Sequence, residues 1–333
     1  MKIVVDAMGG DHAPGVVIDG AIAAAKEYNA EVILVGNEEK VKGLLQKSGY
    51  TGDKITVHPA QEVIEMSESA ANSVRRKRNS SIVVGINLVK EGKADAFFSA
   101  GNTGAVVCAA TLGLGLLPGI ERSGIAIVTP TLKGISLIID VGANIGAKPM
   151  HLLQYGIMAN AYSQNILNIA VPRVGLLNVG EEESKGTDFL KETYELLSKS
   201  PLKFIGNVEG KDLFSGKCDI IVCDGYVGNV ALKVIESTAE AIQVFLKRHL
   251  LKSNLLEKLG LILLKRRLMM FKKEMDYSEF GGAPLLGVNG IVIIGHGRSN
   301  LKAIKNAIRV AKEEVERKVN AKILETINSI NQQ

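Results

Sequence analysis

The chain has 333 residues, 46% of them apolar and 23% charged, with a formal net charge of +5. That balance excludes a disordered or fibrous protein and supplies a sizeable core for one α/β unit or two fused lobes. No stretch approaches the ~20 apolar residues that span a bilayer, and MKIVVDAMGG has no cleavable signal pattern, so a cytoplasmic protein is expected.

In chain order the predicted strands are KIVVD (2–6), EVILVG (31–36), KITVH (54–58), ADAFFSA (94–100), GIAIVTP (124–130), ISLIID (135–140), VGLLNV (174–179), FIGNV (204–208), DIIVCD (219–224) and GIVIIGH (290–296). Most are apolar without alternation, as strands covered on both faces are. Amphipathic segments separate many of them. The last, residues 300–327, repeats Ile304, Ile308, Ala311 and Val315 at helical spacing. Repeated βα order predicts a mainly parallel sheet with helices on both faces. With no internal repeat and no linker, residues 1–333 are read as one catalytic domain. Cys108, Cys218 and Cys223 lie inside apolar runs without metal-ligand spacing and read as small core residues.

Four apolar runs end in a polar residue and a Gly/Asn turn that opens onto a predicted helix: VVD-AMGGDHAP, FFS-AGNTGA, IID-VGANIGAKP and VCD-GYVGN. Ligands of open α/β sheets bind beyond the carboxyl ends of the strands. Free amides and the positive ends of helix dipoles attract anions there, and glycine lets the backbone come close. A phosphate or another oxyanion is the expected ligand. The plainer alternative is that tight βα turns need glycine anyway, with Asn, Asp and Thr acting as helix caps.

Nucleotide P-loop, dinucleotide fingerprint, H-E-x-x-H and nucleophile-elbow patterns are all absent, so neither a metal nor a cofactor is expected. Between residues 246 and 273, nine basic residues face a single acid, Glu257, among many leucines and methionines. This reads as a protruding basic helical segment whose apolar tip, Leu261, Ile262, Leu263 and Leu264, lies in an anionic lipid interface, or else as a core or dimer helix with a solvated face. Aromatic residues hardly interleave with the charge, so nucleic acid is not the expected partner. A second basic run, Arg75, Arg76, Lys77 and Arg78, is either solvated surface or a dock for an acidic protein.

VDAMGGDHAP, SAGNTGA, DVGAN followed by KPMHLLQYGIM, GLLNVGEEESKG, FIGNVEG, DGYVGNVALK and FGGAPLLGVNG together resemble the bacterial phosphate acyltransferases of phospholipid synthesis, from Val5 to about His296. The resemblance implies a fold similar to the isocitrate dehydrogenase and phosphotransacetylase group. It implies attack of inorganic phosphate on an acyl carrier protein thioester, giving acyl phosphate. It also implies a homodimer held peripherally on the inner face of the membrane, beside a glycerol 3-phosphate acyltransferase.

For that chemistry Lys185, His12 and Asn102 are the expected catalytic groups: cation, proton donor and side-chain donor. Asp6, Gly9, Gly10, Asp11, Ser99, Gly101, Thr103, Gly104, Asp140, Gly142, Asn144, Lys148, Asn178, Asp224, Gly228 and Asn229 are expected to line the phosphate and substrate site. The aspartates serve either to orient donors or as plain caps, since a carboxylate on phosphate repels it. His12 has a competing role within its own turn, and His296 is a weaker candidate of the same kind. The rival activities are a phosphotransacetylase-like enzyme using acyl-coenzyme A, a noncatalytic membrane scaffold, and, third, a dehydrogenase.

Overall fold

The computed structural model describes residues 1–251, 255–274 and 277–331. Eleven strands form one sheet: β1 (Lys2–Asp6), β2 (Glu31–Gly36), β3 (Ile55–Pro59), β4 (Ala96–Ser99), β5 (Gly124–Thr131), β6 (Gly134–Ile139), β7 (Arg173–Leu177), β8 (Lys203–Val208), β9 (Ile220–Val222), β10 (Ala283–Leu286) and β11 (Ile291–Ile294). Their order across the sheet is β3-β2-β1-β4-β11-β10-β5-β6-β9-β7-β8. Ten match the expected runs within a few residues. β10 was unexpected.

The sheet consists of two parallel blocks that point in opposite directions. β3, β2, β1, β4 and β11 run parallel, as do β6, β9, β7 and β8. Between the blocks every pairing is antiparallel: β11 with β10, β10 with β5, and β5 with β6. Only Leu132 and Lys133 separate β5 from β6, so these strands form a tight hairpin, with Gly134 at φ +130°. A connection this short rules out a crossover helix and forces the reversal.

Helices cover both faces: α1 (Gly15–Tyr28), α2 (Glu38–Lys47), α3 (Ala70–Arg76), α4 (Ser81–Lys90), α5 (Thr103–Gly113), α6 (Pro149–Asn165), α7 (Asp188–Ser198), α8 (Gly225–Leu251), α9 (Leu255–Glu274), α10 (Leu301–Glu316) and α11 (Val319–Asn331). Alternation along β1 feeds two cores. Ile3 and Val5 pack in one, with Tyr155, Met158, Ile304 and Ile308. Val4 packs in the other, with Phe97, Ile86, Val106 and Ile138, and with Leu232 and Ile235 of α8 partly buried against it. α6 and α8 therefore lie on opposite faces. Each fully buried side chain of this size contributes about 1.5–3 kcal/mol.

The segment expected as one helix over residues 300–327 is two, α10 and α11, broken at Arg317 and Lys318, where Lys318 has φ +51°. Helix α8 starts at Gly225, well before the basic stretch, and all its residues from 242 to 249 are exposed. In α9 Leu263 is 84% and Leu264 54% exposed. The side chains of Leu261 and Ile262 lie outside the described residues. Among the described residues no helix is long and apolar enough to cross a membrane.

Candidate functional site

The Gly/Asn turns gather into two cradles rather than one, because the two blocks direct their carboxyl ends oppositely. The first cradle forms beyond β1, β4 and β11. Asp6, buried at the end of β1, accepts the Ser99 hydroxyl at Oδ2 (2.7 Å) and the Met8 amide at Oδ1 (3.0 Å). Burial pushes its carboxyl upward, against these hydrogen bonds. The Gly101 amide donates to Ser99 Oγ at 3.0 Å, and Asp11 N donates to the Gly297 carbonyl at 2.8 Å. A Cβ on Gly9 would lie 2.5 Å from Asp6 Oδ2 and 2.7 Å from the Gly101 nitrogen, so close backbone approach requires glycine here.

Asn102 caps α5, its Oδ1 accepting from Ala105 N at 3.0 Å. Its Nδ2 donates to the carbonyls of Glu65, Met66 and Glu68 at 3.0–3.2 Å. The expected role of Asn102 as a donor to substrate is thus corrected: its amide is committed to holding the 65–68 loop. Thr103 and Gly104, opening α5, have no acceptor inside the helix for their amides. Asp11 and His12 are exposed.

The second cradle lies beyond β6, β9 and β7, adjacent in that order. Buried Asp140 accepts the amides of Ile125, Gly142 and Ala143 at Oδ1 and that of Asn144 at Oδ2, at 2.8–3.0 Å. The amides of Gly142 and Asn144, expected to grip phosphate, already hold the protein's own carboxylate. Burial raises the Asp140 pKa, opposed by those four amides. Asp224 likewise accepts the amides of Tyr226 and Val227 at the start of α8. Asp224 thus caps α8, while Asp6 and Asp140 hold the amides of their own turns and Asp6 also the Ser99 hydroxyl. Asn144 Nδ2 donates to the Ser123 carbonyl and to the Tyr155 hydroxyl.

Side chains and cations remain open at this second cradle. Asn229 is exposed, its side chain 3.6 Å from where a Cβ on Gly142 would stand. Gly228 packs so closely on the Asp140 carbonyl that no Cβ fits. Asn178 Nδ2 donates to the Lys185 carbonyl at 3.2 Å and fixes the loop that presents Lys185. Lys185 and Lys148 are exposed and have no ion-pair partner among the described residues, while nearby Glu181 pairs with Lys211 and Lys217.

Helix α8 joins the cradles. It begins at Gly225, whose amide donates to the Asn144 carbonyl at 3.1 Å, and its Glu236 Oε2 lies 3.6 Å from His296 Nε2 beside the first cradle. His296 Nδ1 accepts from Arg298 N at 3.1 Å, so its proton sits on Nε2 facing the carboxylate. Partial burial pushes Glu236 upward, yet hydrogen bonds from His296 and Lys233 hold it down at about 2. From Gly225 to Glu236 the helix rises about 16 Å. A shallow depression lined by Asn229, Val230, Lys233, Val234, Ser237 and Thr238 lies along this stretch. Lys185 belongs to one end and His12 and Asn102 to the other, so the expected catalytic trio does not meet at one point.

The second basic run is split too. Lys77 Nζ donates to the Val63 carbonyl and to Glu68, which is pulled down to about 2 by Lys77 first, then by Ser73 and the Glu65 amide. Lys77 is therefore structural. Arg75, Arg76 and Arg78 stay exposed near the first cradle, where α3 packs on α5.

Comparison with known proteins places this arrangement. Among solved structures, a phosphotransacetylase from Streptococcus pyogenes is similar with a TM-score of 0.62 at 20% identity, covering 95% of this chain and 94% of that one. The EutD phosphotransacetylase from Staphylococcus aureus is similar with a TM-score of 0.58 at 17% identity, covering 95% and 94%. These share the fold. At the sequence level, the phosphate acyltransferase of Pelotomaculum thermopropionicum is 51% identical over 99% of this chain and 96% of its own length. That of Dictyoglomus turgidum is 52% identical over 99% and 98%. A family model described as "Fatty acid synthesis protein" matches residues 1–322. The chain belongs to this family of fatty acid synthesis proteins, as a phosphate acyltransferase.

Proposed function

We propose that the enzyme transfers the acyl group of an acyl carrier protein thioester to inorganic phosphate for phospholipid synthesis. The observation that carries this reading is the second cradle. Lys148 and Lys185, with no ion-pair partner among the described residues, and the exposed Asn229 of α8 follow the carboxyl ends of adjacent parallel strands. Phosphate is already an anionic nucleophile, so the site must bind it, align it and stabilise the thioester oxygen. An oxygen of hydrogen phosphate bonds to the acyl carbon as the carbon–sulfur bond breaks. The proton carried by the phosphate goes to the departing thiolate, whose reference pKa of about 8.5 makes it a tolerable leaving group.

The exposed face of α8 between the cradles rises about 16 Å from Gly225 to Glu236, a span suited to an extended thioester arm. Arg75, Arg76 and Arg78 beside the first cradle are the proposed dock for the acidic carrier, with steering by complementary charge. His12, Gly9, Gly10 and Gly101 then serve the arm rather than the phosphate. The homodimer, the peripheral membrane contact through Leu263 and Leu264, the glycerol 3-phosphate acyltransferase partner and the cytoplasmic location belong to the same proposal. The test is phosphate-dependent thiol release from palmitoyl acyl carrier protein and from palmitoyl-coenzyme A in parallel. Preference for the carrier supports the proposal, preference for coenzyme A favours the rival acyl-coenzyme A enzyme, and no release from either leaves only a scaffold. For the membrane contact, Leu263→Glu with Leu264→Glu abolishes sedimentation with anionic vesicles while activity in solution persists.

A further inference from the structure

Arg122 lies in the turn before β5, whose third residue, Ala126, pairs with Ile139 at the end of β6 in the antiparallel ladder. The turn is fixed from both sides. The Glu121 amide donates to Gln154 Oε1 at 2.9 Å, and Gln154 Nε2 donates to the Gly119 carbonyl at 3.0 Å. On the other side, the Ser123 carbonyl accepts from Asn144 Nδ2. Glu121 itself is 3.2 Å from His151 Nε2. The Arg122 backbone is thus held between α6 and the second cradle, while its side chain is exposed and has no ion-pair partner among the described residues.

The guanidinium also acts on the cradle's interior. Burial drives the Tyr155 hydroxyl far above its ordinary range, Asp140 adds to that, and Arg122 opposes it from nearby. The Tyr155 hydroxyl oxygen accepts from Asn144 Nδ2 within the cradle, at 2.9 Å. An arginine with a fixed backbone, no acid partner and a filled amide nest behind it is a fork waiting for a planar pair of anionic oxygens. The nest cannot supply that grip, since Asp140 occupies it.

We propose that Arg122 is a further substrate-binding residue of the second cradle and holds a phosphoryl group by its guanidinium. This rests on the acyl transfer reading above. The chemistry fits two sources: the inorganic phosphate nucleophile, and the phosphodiester that joins a pantetheine arm to its carrier. Arg122→Ala and Arg122→Lys are compared with the wild-type enzyme, after wild-type turnover with phosphate and palmitoyl acyl carrier protein has been established. Absent wild-type turnover refutes the reaction itself, apart from this inference.

With turnover present, the alanine variant is expected to raise the KM for one phosphoryl substrate by about tenfold or more, equivalent to one charge-assisted contact of roughly 1.4 kcal/mol. The lysine variant recovers part of it. A raised KM for phosphate assigns the inorganic ion, whereas a raised KM for the carrier alone assigns the phosphodiester. Protection of the folded enzyme against heat by inorganic phosphate gives a second readout, smaller in both variants if the ion is the ligand. Unchanged KM values for both substrates in both variants overturn the proposal, and so does a loss of kcat alone that follows a fall in melting temperature.

Discussion

The carboxylate of Asp140 accepts the backbone N–H of Asn144 at 2.8 Å and fills the turn that follows β6. With the Ile125, Gly142 and Ala143 amides on its other oxygen, it is the internal anion around which the second cradle folds. Asp140→Asn turns an amide group toward backbone donors in a buried site, and is expected to lower stability by ~2–4 kcal/mol. Urea denaturation measures this; an unchanged midpoint would mean the nest does not need its carboxylate.

Glycine spacing makes a paired prediction. A Cβ on Gly228 would strike the Asp140 carbonyl, while nothing lies within 4 Å of one on Gly43 in α2. Gly228→Ala should displace the start of α8 and cost ~1–3 kcal/mol along with most activity. Gly43→Ala should gain ~0.5–1 kcal/mol through helix propensity and leave turnover intact. Equal effects from the two substitutions would argue against the packing described for α8.

Asn102→Ala is expected to reduce activity through loss of structure. The three carbonyls of Glu65, Met66 and Glu68 lose their donor, and α5 loses its cap, for ~1–3 kcal/mol in total. Proteolysis within residues 65–68 should accelerate relative to the rest of the chain. A variant as resistant as the parent yet inactive would return Asn102 to direct contact with substrate.

Away from the site, Glu314 of α10 is 2% exposed, its Oε1 has no hydrogen-bond partner among the described residues, and it meets Tyr162 of α6. Burial pushes its carboxyl up to about 8, despite the Tyr162 hydrogen bond and with Glu313 adding repulsion. The folded state therefore holds a proton that the unfolded chain releases near its ordinary value of 4.5. That contribution is complete below about 4.5 and is lost as pH climbs to about 8, on the order of a few kcal/mol. Glu314→Gln should flatten the melting temperature between pH 5 and pH 8 (about the window set by the two values) and exceed the parent at the alkaline end. A parallel decline in both proteins would show that Glu314 does not titrate there.

Ten strands were legible because apolar runs without alternation mark a sheet covered on both faces, and polar turns bound them. β10 was hidden for two reasons: APLL is four residues long, flanked by glycine, and its proline is unusual in a strand interior. Strand direction was not legible from βα order, since order alone predicts one direction. The visible clue was the two-residue link Leu132–Lys133, too short for a crossover. The glycine turns were found correctly, but their partners were not. Nothing in DVGAN distinguishes an aspartate that faces substrate from one that turns back onto its own amides, because both need the same residues at the same spacing. Lys77 illustrates the same limit: only the fold brings Glu68 and the Val63 carbonyl to it. Arg122 was passed over because ERSG carries no recognised pattern, and its meaning comes from Asn144 and Gln154 arriving from elsewhere in the chain.

The most direct measurement is hydroxylamine-trapped acyl phosphate formed from palmitoyl acyl carrier protein and orthophosphate by the parent, Lys185→Ala and His12→Ala. If the nucleophile sits at the β6, β9 and β7 end of α8, the lysine variant needs far more orthophosphate to reach half-maximal rate, while the histidine variant keeps the parent's requirement. The reverse pattern, with orthophosphate dependence altered by His12 and untouched by Lys185, would put the nucleophile at the other end and contradict the account.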